Sequence, residues 1–162
     1  MKEKIVQTHI ETPIGTAEIK GTSKGIISIK VLDKKLASFE NTPDVLKNCV
    51  KQLKEYFEGS RKTFSIQLNP EGTEFQKKVW NNLTKIPWGK TKTYLEQSKD
   101  YGDPKAIRAI ASANGKNPIW IVIPCHRVIG SNGSLTGYAG GIWRKKWLLN
   151  HESEYKQQSL FS

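Results

Sequence analysis

Apolar and polar residues alternate over positions 4–10, 16–21 and 26–32, around Gly15 and Gly25. This pattern predicts a small antiparallel meander. From Val45 the apolar spacing changes to three and four. Val45, Leu46, Cys49, Val50, Leu53, Tyr56 and Phe57 fall on one helical face, with Thr42 as N-cap, Pro43 as first helical residue and Gly59 as stop. Residues 61–66 read as one more short strand, and Leu68-Asn69-Pro70-Glu71-Gly72 as a turn-rich linker. Thr73-x-x-Gln76 is a capping box that opens a helix with Phe75, Val79, Trp80 and Leu83 inward. Ile86-Pro87-Trp88-Gly89 ends that helix. A second capping box, Thr93-x-x-Glu96, opens a short helix closing near Tyr101-Gly102, and Asp103-Pro104 caps a third, running to Asn114 with Gly115 just past its end. Two short helices across a tight Gly-containing turn make a helix-turn-helix. Ile119 to Ile123 is an apolar, mostly β-branched run with the length of a buried strand, halted by Pro124. A tight turn at Gly130–Gly133 and a Gly-rich stretch, Thr136 to Gly141, lead to a last helix over Ile142–Asn150. Trp143, Trp147 and Leu148 are expected to face inward from it, and the polar tail from Ser153 to Ser162 to fray. The expected fold class is α+β: a small sheet-and-helix domain over residues 1–70, then a mainly helical domain over 71–162.

Charge adds a partner to this outline. The formal net charge is +11, and the stretch from Phe75 to Asn150 holds 13 Lys/Arg against 3 Asp/Glu, a net of +10. Charge concentrated on one region points to a polyanion such as nucleic acid, bound through its phosphates. A lysine-rich solvated surface is the plainer reading. On the third helix of the second part, Ile107, Ile110 and Ala111 share the inward side, and Lys105, Arg108, Ala109 and Ser112 the outward one. One long cation among small residues suits close approach to a groove. It lacks the several Asn, Gln or Arg of a major-groove reader, which implies weak sequence preference and the minor groove.

The remaining composition narrows the class. No stretch approaches the roughly 18 apolar residues that span a bilayer, and the polar start gives no secretory signal. Cys49 and Cys125 form no CxxC pair, and three histidines are scattered. No metal site, disulfide framework or cofactor is expected, and a reducing, cytoplasmic location fits. Cys49 lies on a helical apolar stripe and reads as core. Cys125 differs, since it follows the run at Pro124 and is flanked by a possible base, His126, and a permanent cation, Arg127. A nearby cation or imidazole lowers a thiol pKa and activates sulfur as a nucleophile. A buried structural cysteine beside a basic pair is the alternative.

Six blocks in order then carry a resemblance: Gly72-Thr73-Glu74-Phe75-Gln76-x-x-Val79-Trp80, Ile86-Pro87-x-Gly89-x-Thr91-x-Thr93-Tyr94, Arg108-Ala109, Asn117-Pro118, Ile123-Pro124-Cys125-His126-Arg127-Val128 and Gly137-Tyr138-Ala139-Gly140-Gly141, with Trp147-Leu148-Leu149-x-x-Glu152 after them. The chain resembles the O6-alkylguanine-DNA alkyltransferases (methylated-DNA–protein-cysteine methyltransferases), densely over residues 72–152. The resemblance implies a ribonuclease-H-like N-terminal domain and a winged helix-turn-helix C-terminal domain. It implies that Cys125 takes the alkyl group from guanine O6 irreversibly, so that each molecule acts once. His126 would withdraw the thiol proton through a water, Glu152 would polarise His126, and Asn117 would brace the active-site turn. Tyr94 would hydrogen-bond the leaving guanine and press on the target phosphate. The backbone at Cys125 and Val128 would read the exocyclic amine, Ala139 N–H would face O6, and Tyr138 would wall the pocket. Arg108 would fill the stack after the base is flipped, with Lys105, Ala109, Ser112 and Thr93 completing the DNA-contacting set. The implied partner is double-stranded DNA containing O6-alkylguanine, the implied state a monomer. A non-catalytic helix-turn-helix reader of alkylated DNA and a cysteine hydrolase built on Cys125, His126 and Glu152 are the alternatives. The first needs an inert Cys125, and the second leaves Tyr94 and Arg108 without a role.

Overall fold

The computed structural model describes residues 3–35, 41–135 and 137–153. Its elements are, in order, β1 (Val6–Thr12), β2 (Gly15–Thr22), β3 (Gly25–Leu32), α1 (Asp44–Glu58), α2 (Glu74–Leu83), β4 (Lys92–Thr93), α3 (Tyr94–Tyr101), a 3₁₀ turn (Pro104–Ala106), α4 (Ile107–Gly115), a second 3₁₀ turn (Cys125–Arg127), β5 (Val128–Ile129) and α5 (Ile142–His151). The architecture is mixed α+β, with the larger sheet first and the helices mostly after it. Contacts divide the chain into two compact units, Met1–Glu71 with Pro118–Trp120, and Gly72–Asn117 with Ile121–Ser162. Among the described residues no helix is long and apolar enough to cross a membrane.

The first unit is the expected meander, order β1-β2-β3, with a register shift at Lys20/Gly21. Ile10, Ala17, Ile19, Ile29 and Val31 are buried, as alternation requires. β3 has an edge, and two short extended stretches cover it. Ile26 N–H bonds Gln67 O, Asn69 N–H bonds Ile26 O, Ile29 N–H bonds Pro118 O and Trp120 N–H bonds Ile29 O, all at 2.8–3.0 Å. Covering an edge in this way satisfies its backbone groups and removes a template for aggregation. α1 buries Leu46, Cys49, Val50, Leu53 and Tyr56, each large apolar side chain contributing about 1.5–3 kcal/mol. Three expectations need correction here. Pro43 is the N-cap, not the first helical residue, because its ψ of 140° is extended. Val45 is 47% exposed, on the rim of the stripe. Residues 61–66 form no strand: the amide of buried Gln52 donates to Ser65 O and accepts from Ser65 N–H, doing the work of a neighbouring strand.

The second unit is organised by its caps. Thr73 with Gln76 and Thr93 with Glu96 form both reciprocal capping boxes. Trp80 Nε1–H reaches Ala113 O across 2.8 Å, tying α2 to α4. Gly72 lets that indole pack, since a Cβ there would lie 2.5 Å from the Trp80 ring. α3 and α4 are held by a buried reciprocal amide pair, Gln97 with Asn114, both bonds 2.8 Å. β4 and β5 form a two-residue parallel ladder, Lys92 opposite Val128 and Thr93 opposite Ile129.

The sequence reading of this unit also needs correction. Asp103 caps a 3₁₀ turn rather than an α-helix, and Gly115 is the last residue of α4, not beyond it. The exit uses Lys116 at φ −101° and successive short turns, with no left-handed cap. The run Ile119–Ile123 is buried throughout but is no strand. Its ladder is the single bridge at Ile119, and the chain then turns through Ile121 at φ 76°. A β-branched residue there costs about 1–3 kcal/mol and persists only where packing dictates it. On α5, Trp143 is 53% exposed while Arg144 and Lys145 are buried in its place, and Trp147 is half-buried against His151. Ser153 is buried. Thr136 and the tail from residue 154 lie outside the described residues.

Candidate active site

The turn that begins at Ile121 delivers Cys125 to the start of a 3₁₀ turn. Cys125 N–H bonds Ile123 O at 2.8 Å and Arg127 N–H bonds Pro124 O at 3.0 Å. Asn117, buried just after α4, donates from Nδ2 to Ile123 O at 2.8 Å and to Cys125 Sγ at 3.2 Å. One amide group thus pins the turn and points a donor at the sulfur.

The electrostatics differ from the sequence expectation. Burial pushes the Cys125 thiol above its ordinary value, opposed by the Asn117 hydrogen bond and the Lys145 charge. The sulfur therefore rests as a thiol, and the cation that opposes burial is Lys145 of α5, not Arg127. Burial in turn pushes Lys145 down to about 8, against the partial support of Cys125.

Arg127 is committed elsewhere. Its Nε donates to Glu152 Oε1 at 2.7 Å, Nη2 to Glu152 Oε2 at 3.1 Å and Nη1 to Ile86 O at 2.6 Å. Glu152 Oε2 also lies 2.7 Å from His126 Nε2. Burial opposes ionisation of Glu152, but His126 and Arg127 outweigh it and hold the carboxyl well below the usual range. An ionised carboxylate only accepts, so His126 Nε2 carries the proton. Burial moves His126 below its usual value despite Glu152, which leaves a neutral ring with its lone pair on Nδ1. Nδ1 is buried and makes no hydrogen bond to a protein group among the described residues. A shielded thiol, a neutral imidazole oriented by a carboxylate and a donor on the sulfur can together generate a thiolate when a substrate displaces solvent.

Two family models cover most of the chain: the 6-O-methylguanine DNA methyltransferase ribonuclease-like domain over residues 5–70 and the DNA binding domain of the same name over residues 74–154. The chain belongs to this methyltransferase family. It is 46% identical to the methylated-DNA–protein-cysteine methyltransferase of Methanosarcina acetivorans over 147 residues, covering 88% of this chain and 94% of that protein. The constitutive enzyme of that name from Bacillus subtilis is 48% identical over 121 residues, 74% of this chain and 73% of that protein. Among solved structures, Mycobacterium tuberculosis O6-methylguanine methyltransferase matches with a TM-score of 0.82 at 39% identity, over 92% and 93% of the two chains. The M. tuberculosis protein in complex with DNA matches at 0.80 and 42%, over 90% and 91%.

The other candidate residues lie on α3, β5, the Gly-rich turn and the α4 segment. Tyr94 is the first residue of α3, half-buried, with Lys145 Nζ 5.9 Å from its ring centre and its hydroxyl near Gly137. Tyr138 is half-buried, and burial, with the Glu152 charge adding to it, pushes its phenol well above its ordinary value, so it stays protonated. Val128 is fully buried in β5, and Ala139 is exposed on the Gly-rich turn. Lys105, Arg108, Ala109 and Ser112 are all exposed along the α4 segment, while the Thr93 side chain is occupied in capping α3. Sequence reading missed the buried cations Lys145 and Arg144. Arg144 donates to Gly140 O at 3.1 Å and covers the Trp143 ring at 4.6 Å. Their signal was faint: a lysine and an arginine inside an otherwise aromatic stripe. Among the described residues no group of His, Cys, Asp and Glu could hold a metal ion.

Proposed function

We propose that this chain repairs O6-alkylguanine in double-stranded DNA by moving the alkyl group onto its own Cys125, once per molecule. The observation that carries this reading is the buried hydrogen-bond chain Arg127–Glu152–His126 beside a thiol held by Asn117. In the transfer the S–C bond forms as the C–O6 bond breaks. The thiol proton passes to His126, through a water to Nδ1, and the bonding pair leaves with guanine. Guanine is then protonated on its ring, with Tyr94 as hydrogen-bond donor, so the net proton moves from sulfur to base. Tyr138 walls the pocket, the Val128 and Cys125 backbone reads the exocyclic amine, and Ala139 N–H faces O6.

An alkylated base inside a duplex cannot reach a buried sulfur, so it must be extruded, at a cost of a few kcal/mol. The exposed face of α4 supplies the probe: Arg108 occupies the vacated stack, and small Ala109 and Ser112 allow close approach in the minor groove. Lys105, in the turn that leads into α4, and Thr93, at the start of α3, complete the DNA-contacting set of this reading. The concentration of positive charge in residues 75–150 suits a protein that scans any sequence by phosphate contacts. We place the protein in the cytoplasm as a monomer.

Intact-protein mass spectrometry after incubation with a duplex holding one O6-methylguanine tests this directly. A gain of one methyl, stopping at one equivalent and absent in Cys125→Ala, is the expected result. Binding without a mass change would transfer the weight to a non-catalytic reader of damage.

A further inference from the structure

Arg127 stands out because its buried guanidinium donates two hydrogen bonds to Glu152 and one to Ile86 O, and none to the sulfur or to His126. We infer that Arg127 is a positioning residue of the transfer: by gripping both oxygens of Glu152 it commits Oε2 to His126 Nε2, and so fixes on His126 the tautomer whose Nδ1 receives the Cys125 proton. The inference rests on the alkyl-transfer reading and deepens it.

Glu152 is the buried C-cap of α5. Arg127 sets the orientation of its carboxylate. Two parallel N–H···O bonds, at 2.7 and 3.1 Å, define the carboxylate plane as well as its place. The third bond, to Ile86 O, anchors the guanidinium to the chain that follows α2, 41 residues earlier. Glu152 Oε2 is then shared between Arg127 and His126, and the His126 ring can only turn by breaking a 2.7 Å bond. A lysine could supply the charge but not the fork, which makes charge and geometry separable.

Arg127 acts on His126 in a second way. The groups that bear on this imidazole are Glu152, which favours its protonation, and Arg127 and Lys145, which oppose it. With the guanidinium removed, imidazolium is less disfavoured, and His126 takes a proton at higher pH. A protonated His126 cannot accept from sulfur. The acidic limb of the rate profile therefore moves to higher pH.

The test is the second-order rate of methyl transfer from duplex O6-methylguanine, measured between pH 5 and 9. Wild-type protein, Arg127→Lys, Arg127→Met, Glu152→Gln and the double variant Arg127→Met/Glu152→Gln are compared. Arg127→Met is expected to slow transfer roughly a hundredfold, the lower end of what a positioned general base supplies, and to move the acidic limb upward. Arg127→Lys is expected to slow transfer but move the limb less. The double variant, which leaves no unpaired buried carboxylate, is expected to be no slower than Glu152→Gln alone on the plateau of the pH profile, where Arg127 acts through Glu152. Additive losses in the double variant would overturn the proposal, and so would an unchanged rate. A loss uniform across pH that tracks the folded fraction in a melting experiment would reduce Arg127 to a structural residue. No methyl gain by the wild type would sink the transfer reading itself, a separate outcome.

Discussion

Cys49 lies on the buried stripe of α1, and Cys125 opens the 3₁₀ turn of the second unit. Their exposures are 1% and 8%, so solvent access does not separate them. Their neighbours do. Around Cys49 burial acts alone and pushes the thiol up to about 12. At Cys125 burial acts in the same direction, but an Asn117 N–H at 3.2 Å and the Lys145 charge work against it. His126, held by Glu152, is the next residue along. A low dielectric makes an unattended thiol inert, and the same low dielectric strengthens every dipole and charge aimed at an attended one. Burial is therefore the shared background, and what separates the two sulfurs is the set of side chains around them, Asn117, Lys145 and His126.

The sharpest way to break this comparison is to ask which sulfur is methylated. Peptide mapping after reaction with an O6-methylguanine duplex should find the methyl on Cys125 alone. Cys125→Ala should abolish uptake, and Cys49→Ala should still take up one equivalent. A methylated Cys49 would show that neighbours are not what counts.

Removing the donor on the sulfur comes next. Asn117→Ala is expected to cost about 2 kcal/mol of thiolate stabilisation, hence about thirtyfold in single-turnover rate. It should also lower the melting temperature, because Ile123 O loses its partner.

A smaller effect should follow from Lys145→Met. Lys145 titrates at about 8, so its charge supports the thiolate below that pH and is lost as pH rises through it. His126 limits the reaction from the other side, losing its proton below its usual value. The wild-type rate is therefore expected to be bell-shaped, falling above about 8. Lys145→Met should slow transfer at pH 7 roughly tenfold, about 1.4 kcal/mol on the barrier, and erase that alkaline fall. A variant whose alkaline limb is unchanged would remove Lys145 from the comparison.

The mildest change is Cys49→Ser, which buries a hydroxyl where a thiol packed. It should cost about 1–3 kcal/mol in stability, visible in denaturant unfolding, and leave the transfer rate untouched.

The legible parts of this molecule were those encoded within a few residues. Both capping boxes can be read from four positions each, and the meander from strict alternation. The turn before Cys125 could not be read, because Ile119 to Ile123 is composed like a strand and only tertiary packing forces Ile121 into the left-handed region. The Gln97–Asn114 pair that sets the α3–α4 geometry was hidden for another reason. Its partners are 17 residues apart and polar, so neither contributes to an apolar period. Trp143 shows the converse error: hydrophobicity placed it inward, while Arg144, through a bond to Gly140 O, and Lys145 took the buried side of α5. The identities of Cys125, His126, Asn117 and Glu152 were readable as motif positions. The bond linking Arg127 to Glu152 was not.

A protonated, enclosed sulfur also has a consequence for how long the protein remains useful. A molecule that reacts once has no second chance if peroxide or a stray electrophile arrives first. The thiol form at Cys125 is the poor nucleophile and the poor oxidation target, and little of its surface is open to small reagents. On the proposed reading, readiness is deferred until the flipped base arrives at the sulfur, and the single equivalent is kept for a lesion.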